Sequence, residues 1–363
     1  GVRSDSPLPV GEEPGVRSCG GCHYQHIPYS KQLEAKTEIL RDQLTRIGKI
    51  EDPPVAPTVA SPEEWNYRNH VQFHLTDDGK IGYVNANGNT IIPISECHLP
   101  EASLNEFWPQ LTFDSNTGIE RVSLRAGVDG DLLALESDSP EPPELELEAG
   151  ISVTHIYEAN TVVLAGDDHI FIRVKGRDFK VSAASFFQVN TAMAEKMVEH
   201  LLDVLFDRNP VSPRNRVSAD DTLFDLYCGV GLFSAFLAPR VGKVIGVESS
   251  PSACEDFMVN LDEFENVDLY EGAAEETLPG LVGQIANLSY TIVDPPRAGL
   301  DRRVVDALLA LAPRVIAYVS CDPSTLARDA RRLIEGGYAL KQVTPFDLFP
   351  QTYHIESVSI FER

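Results

Sequence analysis

The sequence predicts an α/β protein. A mostly parallel sheet with helices on both faces is expected over residues 181–363, preceded by an antiparallel β domain over 51–180 and a small cysteine-bearing segment over 1–50. Three observations predict it. From about residue 185 the apolar runs TLFDLY, KVIGVE, SYTIVDPP and RVIAYVS alternate with helix-like segments such as CEDFMVNL and TLARDARRLIE, and strands alternating with helices imply βαβ units and a parallel sheet. Between 51 and 180, short β-branched runs are separated by the hairpin-type turns DDGK and VDGD, the pattern of antiparallel strands. Finally, 363 residues allow two or three domains, and 43% hydrophobic with 23% charged residues suffices to bury a sizeable core.

The elements follow in order. Residues 1–18 form a polar, Pro- and Gly-rich tail without the apolar centre of a signal peptide. The chain opens without Met, so an upstream extension is expected. In SKQLEAKTEILRDQLTRIGKI, Leu33, Ile39, Leu40, Leu44 and Ile47 fall near helical spacing, with Ser30 as cap and Gly48 as stop. The stretch 137–150 is an acidic, solvated loop, and TAMAEKMVEHLLDVLF is a helix leading into the parallel sheet. No apolar run approaches the ~18 residues of a membrane helix, so a soluble protein is expected. Six cysteines in a large chain without an export signal point to reduced thiols in a cytoplasm. A net charge of −25 excludes a general polyanion-coating protein, which binds through a basic field. It leaves room for a nucleic-acid enzyme with one local basic face.

The first strand of the parallel sheet runs into C-G-V-G, where Gly229 and Gly231 let the backbone pass close to a ligand. The next strand, KVIGVE, ends in Glu248, the position at which dinucleotide-type sites hold ribose hydroxyls. The third glycine of a dinucleotide fingerprint is absent, Phe233 and Ser234 standing there, which favours S-adenosylmethionine, a ligand with no pyrophosphate to cradle. VDPPRAGLD, VSCDPSTLARD and HIESVSIFE fall where strands of this sheet end. Asp294 and Cys321 therefore lie in the crevice beyond the strand ends, and Glu356 joins them if its strand runs so as to point there. Taken alone, each has a plain reading: a cysteine after a strand is commonly a small buried hydrophobe.

Cys19 and Cys22 form a C-x-x-C loop, and Cys97 lies far downstream. Two turn-borne thiolates and a distant third read as a metal or cluster site, and zinc also suits the pair. Basic and aromatic residues mix in WNYRNHVQFH, which holds Trp65, Tyr67, Arg68 and His70, and basic residues recur in IRVKGRDFK, with Arg173, Lys175, Arg177 and Lys180. Arg297, Arg302, Arg303, Arg328, Arg331 and Arg332 flank the strand-end segments. Together they form the local basic face that a nucleic-acid enzyme of this charge would need.

The segments SFFQVN, DLYCGVGLFS, VIGVE, VDPPRAG, YVSCDPSTLARD and HIESV, in that order, resemble the S-adenosylmethionine-dependent RNA uracil-C5 methyltransferases of the TrmA/RumA type. The CGGC loop and SECHLP extend the resemblance to the iron–sulfur branch of that family. It implies a Rossmann-like methyltransferase domain over 181–363 and an RNA-binding central domain. It assigns Cys321 as nucleophile and Glu356 as base, and puts Gln188, Tyr227, Gly229, Gly231, Glu248 and Asp294 at the cofactor. It makes Phe186 a stacking partner for a flipped nucleotide, with Arg68 and Arg297 as substrate contacts. It also implies a [4Fe–4S] cluster on Cys19, Cys22 and Cys97. The family's fourth cysteine falls six residues before Cys19, where this chain has Glu13.

The implied chemistry explains the residue types. Uracil C5 is a poor nucleophile until a thiolate adds to C6, and a base must then take the C5 proton so that the thiol can leave. The cluster-type loop leans toward 23S ribosomal RNA, with transfer RNA as the alternative. Two other classes compete: a non-catalytic RNA-binding iron–sulfur scaffold, and an enzyme acting on exocyclic amino groups, which needs no thiol. No obligate protein partner is evident, and the N-terminal RNA-binding barrel of many relatives is not visible in this sequence.

Overall fold

The computed structural model describes residues 19–363 apart from 86–87, 89, 146–149, 159, 208–217, 219 and 286–287. Glu13, the polar tail and part of the acidic loop lie outside the described residues. No helix among those described is long and apolar enough to cross a membrane.

The first helix, α1, runs Tyr29–Arg46. It starts after Pro28, so Ser30 lies inside its first turn and does not cap it. Gly48 follows the last turn, its N–H reaching Gln43 O. The face it buries is Gln32, Lys36, Thr37, Leu40 and Leu44, while Ile39 and Ile47 remain exposed. The apolar spacing in the sequence thus located the helix but not its inward face, because two long polar side chains are buried on it.

A seven-stranded sheet follows: β1 (His70–Leu75), β2 (Ile81–Val84), β3 (Ile91–Pro93), β4 (Ile119–Arg125), β5 (Leu132–Ser137), β6 (Ser152–Tyr157) and β7 (Asn160–Ala165), with α2 (Ala102–Phe107) between β3 and β4. Its order is β3-β2-β1-β4-β5-β6-β7. Neighbours are antiparallel apart from β5 and β6, which are parallel. Alternate residues such as Val71 and Phe73, Val122 and Leu124, and Leu133 and Leu135 fill its core, as the two-residue period of a strand requires.

The hairpin β8 (His169–Val174) and β9 (Arg177–Ser182) pairs with neither large sheet. Its inner residues Ile170, Ile172, Phe179 and Val181 share one core with Met193, Met197, Phe233 and Phe257 of the C-terminal half. That half contains α3 (Thr191–Leu202), β10 (Thr222–Leu226), α4 (Leu232–Leu237), β11 (Lys243–Glu248), α5 (Pro251–Asn260), β12 (Val267–Glu271), α6 (Ala274–Leu281), β13 (Leu288–Val293), α7 (Arg302–Leu311), β14 (Val315–Ser320), α8 (Pro323–Glu335), β15 (Ala339–Phe346) and β16 (Glu356–Glu362).

The C-terminal sheet has the order β12-β11-β10-β13-β14-β16-β15. Strands β10 to β14 run parallel, and β16 is antiparallel to both of its neighbours. Leu223, Tyr290, Ala317 and Val358 bury one face, and Phe224, Ile245, Ile316 and Phe361 the other. Two buried faces explain the near-continuous apolar runs of the sequence. The order reverses at β10, with β11 on one side and β13 on the other, and open α/β sheets bind ligands at such a point.

Candidate active site

At the reversal point, β10 ends in a tight turn. Tyr227 takes a left-handed φ of 63°, held by its N–H on Val247 O at 2.8 Å. Gly229 (φ 53°) and Gly231 (φ 90°) follow. The two glycines serve different ends. A Cβ on Gly231 would strike Leu261 and Phe257, so this glycine lets the turn pack on α5, whereas a Cβ on Gly229 would meet no atom within 4 Å. Open space therefore lies over Gly229. Glu248 closes one side of it, accepting hydrogen bonds from the N–H groups of Gly229 (2.9 Å), Ser249 (2.7 Å) and Ser250 (2.8 Å).

Two further acids converge there. Asp294 follows β13 and stays partly open to solvent. Burial, together with the charges of Asp225 and Glu248, pushes its carboxyl up to about 7. Asp225, inside β10, was not singled out from the sequence. It is fully buried, accepts a hydrogen bond from Ser234 Oγ at 2.6 Å, and leaves Oδ1 without a partner. Burial raises it to about 7 against that hydrogen bond, with Glu248 adding to the rise. Only its place beside a Gly turn hinted at it, and an acid in a strand interior has no signature of its own. An open space beside a backbone turn and three carboxylates fits a nucleoside that carries positive charge, as S-adenosylmethionine does.

Gln188 and Phe186 lie on the segment between β9 and α3. Ser185 Oγ on Asp256 (2.6 Å) and Asn69 Nδ2 on Gln188 O (3.0 Å) hold that segment. Gln188 is buried, and Phe186 stands 68% exposed.

The reactive side is set by strand direction. Because β16 runs antiparallel to β14, its first residue lies at the carboxyl edge of the parallel strands. Ser320 pairs with Ser357, so Cys321 and Glu356 are the next residues on either side of that register. Glu356 is buried, and burial and Asp294 push its carboxyl well above the usual range, while Arg297 and Lys36 oppose the rise. The Cys321 thiol, partly exposed, is pushed up to about 12 by burial, Glu356 and Asp294, and Arg297 again opposes. Arg297 itself is exposed and donates from Nη2 to His354 Nδ1 at 3.2 Å. Burial and the charge of Arg297 lower His354 to about 4, so its ring is neutral with Nδ1 as acceptor.

The charge of Arg68 also reaches His354. Its guanidinium lies over Tyr67 (5.8 Å) and Phe349 (5.7 Å), and the same charge reaches the thiols of Cys22 and Cys97. Those thiols and Cys19 share one neighbourhood, with Tyr83 Oη 3.7 Å from Cys97 Sγ. Burial, first, and the other two thiols push Cys22 up to about 11. Among the described residues, however, no three His, Cys, Asp or Glu side chains are grouped to hold a metal ion. The structure thus does not show the iron–sulfur cluster that the resemblance implied for Cys19, Cys22 and Cys97, and Glu13, at the family's fourth position, falls outside the described residues.

The expected basic face is also altered. Arg173 pairs with Asp178 (2.6 Å), Lys175 with Glu199 (2.5 Å), Lys180 with Asp256 (3.2 Å) and Arg177 with Glu263. Arg303, Arg328 and Arg331 likewise meet Asp301, Asp329 and Glu335. The chain has 55 acids against 30 bases, and most cations among the described residues have an acidic partner.

A doubly wound sheet with a Gly turn and an acid at its reversal point defines a Rossmann-like methyltransferase fold. Residues 160–363 match the family described as tRNA (Uracil-5-)-methyltransferase. A protein of Aquifex aeolicus named as an uncharacterized RNA methyltransferase is 33% identical, covering 99% of this chain and 84% of its own. One of Gloeobacter violaceus is 32% identical, covering 99% and 83%. The crystal structure of Pyrococcus abyssi tRNA (uracil-54, C5)-methyltransferase in complex with S-adenosyl-L-homocysteine matches with a TM-score of 0.71 and 27% identity, covering 97% of this chain and 87% of that one. The chain belongs to the tRNA (uracil-5-)-methyltransferase family and is an RNA (uracil-5-)-methyltransferase.

Proposed function

We propose that this enzyme uses S-adenosylmethionine to methylate C5 of a uridine in structured RNA, with Cys321 as the nucleophile at C6 and Glu356 as the base for the C5 proton. The observation that carries this reading is the β14–β16 register, which sets a thiol and a buried carboxyl at one edge of the sheet beside Asp294. When bound, S-adenosylmethionine supplies an electrophilic methyl group. Glu248 would hold its ribose, the Gly229–Gly231 turn and Tyr227 would line it, and Asp294 and Gln188 would face its methionine end.

The chain's own residues do the rest. The Cys321 thiol, partly open to solvent, releases its proton to water, and Arg297 is the cation that favours the thiolate. The sulfur bonds to C6, and the ring's electron pair moves to C5, which becomes the nucleophilic carbon. Once C5 carries the methyl, ionised Glu356 takes the C5 proton. The C6–S bond then breaks and the thiolate leaves. A carboxylate short of water is a stronger base than one in solution, which suits buried Glu356 to this step. Phe186, which is exposed, would stack on the extruded base, and the sheet of residues 70–165 would carry flanking RNA.

The cysteine loop supports ribosomal RNA as the target. Similarity to the Pyrococcus enzyme supports transfer RNA as a second reading. Incubation with labelled S-adenosylmethionine and each RNA, prepared without the modification, tests both. The expected product is 5-methyluridine, formed by the wild type and lost in Cys321→Ala and Glu356→Gln. Methyl groups on nitrogen, or full activity in Cys321→Ala, would overturn the proposal.

A further inference from the structure

Helix α1 lies outside the family match and far in sequence from the reactive residues, yet it buries two polar side chains against the segment that delivers Glu356. Lys36 is fully buried, and its Nζ donates to Asp347 Oδ1 at 2.6 Å and to Phe349 O at 3.0 Å. One turn earlier, Gln32 exchanges two hydrogen bonds with Gln351: Nε2 donates to Gln351 Oε1 at 2.9 Å, and Oε1 accepts from Gln351 N at 3.0 Å. The N–H groups of His23 and Tyr24, from the cysteine loop, donate to Gln351 O at 2.8 and 2.9 Å. Gln351 is a non-glycine residue in the left-handed region, at φ 67°.

Beyond this clamp the chain reaches His354, which rests on Phe349 (ring centroids 5.4 Å apart) and receives the Arg297 hydrogen bond, and then Glu356. A desolvated ion pair is costly compared with apolar packing, and left-handed backbone at a non-glycine residue is strained. Both features occur within the nine residues before the acid, 347–355.

We propose that Lys36 and Gln32 are positioning residues for uridine methylation, fixing segment 347–355 so that Glu356 and the Arg297–His354 pair face Cys321. The inference rests on reading Glu356 as the base. The charged and titratable groups facing Glu356 are Asp294 and Arg297 after β13, Cys321 after β14, and Lys36 from α1. Asp347 faces Lys36 and Tyr29, with Glu64 nearby. Without Lys36, Arg297 alone opposes Asp294, and Glu356 keeps its proton to higher pH.

The test compares Lys36→Met, the double variant Lys36→Met with Asp347→Asn, and Gln32→Ala in the full chain. The double variant leaves no unpaired buried charge, so it carries the test if Lys36→Met does not fold. Two rates are read: turnover on ordinary RNA as a function of pH, and covalent adduct formation with RNA whose target is 5-fluorouridine, which has no C5 proton to remove. For base mispositioning, turnover is expected to fall about ten- to a hundredfold, with adduct formation changed less than about threefold. The acid limb of the Lys36 variants should move to higher pH, and Lys36→Arg should restore it. Unchanged turnover and limb overturn the inference, as does equal loss of both rates. Glu356→Gln separates the two ideas. If it turns over ordinary RNA, the base reading fails; if it stalls at the adduct while the double variant behaves as wild type, only the positioning role fails.

Discussion

Cys321 is a thiol held between two acids, Glu356 and Asp294, with Arg297 as the opposing cation. Arg297→Ala should therefore slow adduct formation at neutral pH by about tenfold for each unit that the thiol rises, with Arg297→Lys in between. The check is the adduct rate against pH, whose alkaline midpoint should move up; an unmoved midpoint would remove Arg297 from the thiol's environment. Glu356 makes a stability prediction of definite sign. Its folded-state value lies above the ordinary 4.5, so between those two values the folded chain binds a proton that the unfolded chain has released. Stability is then lost as pH rises from about 4.5 through the folded value. Glu356→Gln cannot ionise, so its Tm advantage over wild type should widen from pH 4 upward. A pH-independent difference between the two melting curves would contradict the environment described for this acid.

At the level of elements, the β10–α4 turn separates two glycines that look alike in the sequence. Gly231→Ala places a methyl against Leu261 and Phe257 in left-handed backbone and should cost about 2–4 kcal/mol in chemical denaturation. Gly229→Ala meets open space, so its cost should be limited to about 1–2 kcal/mol of backbone strain. Calorimetry should nevertheless find it impaired in cofactor binding, because the methyl enters the space over the turn. This turn was legible because its signal is local: an apolar strand, two glycines and an acid closing the next strand. The parallel sheet was legible for the same reason. The inward face of α1 was not, since Lys36 and Gln32 are buried only because Asp347, Phe349 and Gln351, more than 300 residues later, receive them. Nor was the parallel β5–β6 pair, since the relative direction of two strands has no local signal, or the pairing that neutralises Arg173 and its neighbours.

For the whole molecule, the net charge is −25, and ion pairing leaves few cations for phosphate among the described residues. RNA affinity should depend only modestly on salt, with a slope of log K on log salt no steeper than about −2, corresponding to roughly three phosphate contacts. Arg173→Ala should leave RNA affinity within about twofold in a titration at fixed salt, because its charge is already spent on Asp178. A steep slope, or strong weakening by Arg173→Ala, would restore the basic hairpin as an RNA contact. The position of β16 has a further consequence. It is inserted between β14 and β15, which do not pair with each other, so while it is undocked the sheet has a gap one strand wide, rimmed by two open hydrogen-bonding edges. Any extended segment of a neighbouring molecule can occupy that slot in place of β16. Mild heating should therefore inactivate the enzyme and seed intermolecular β-pairing in a single event, so that light scattering rises at the temperature where methylation stops.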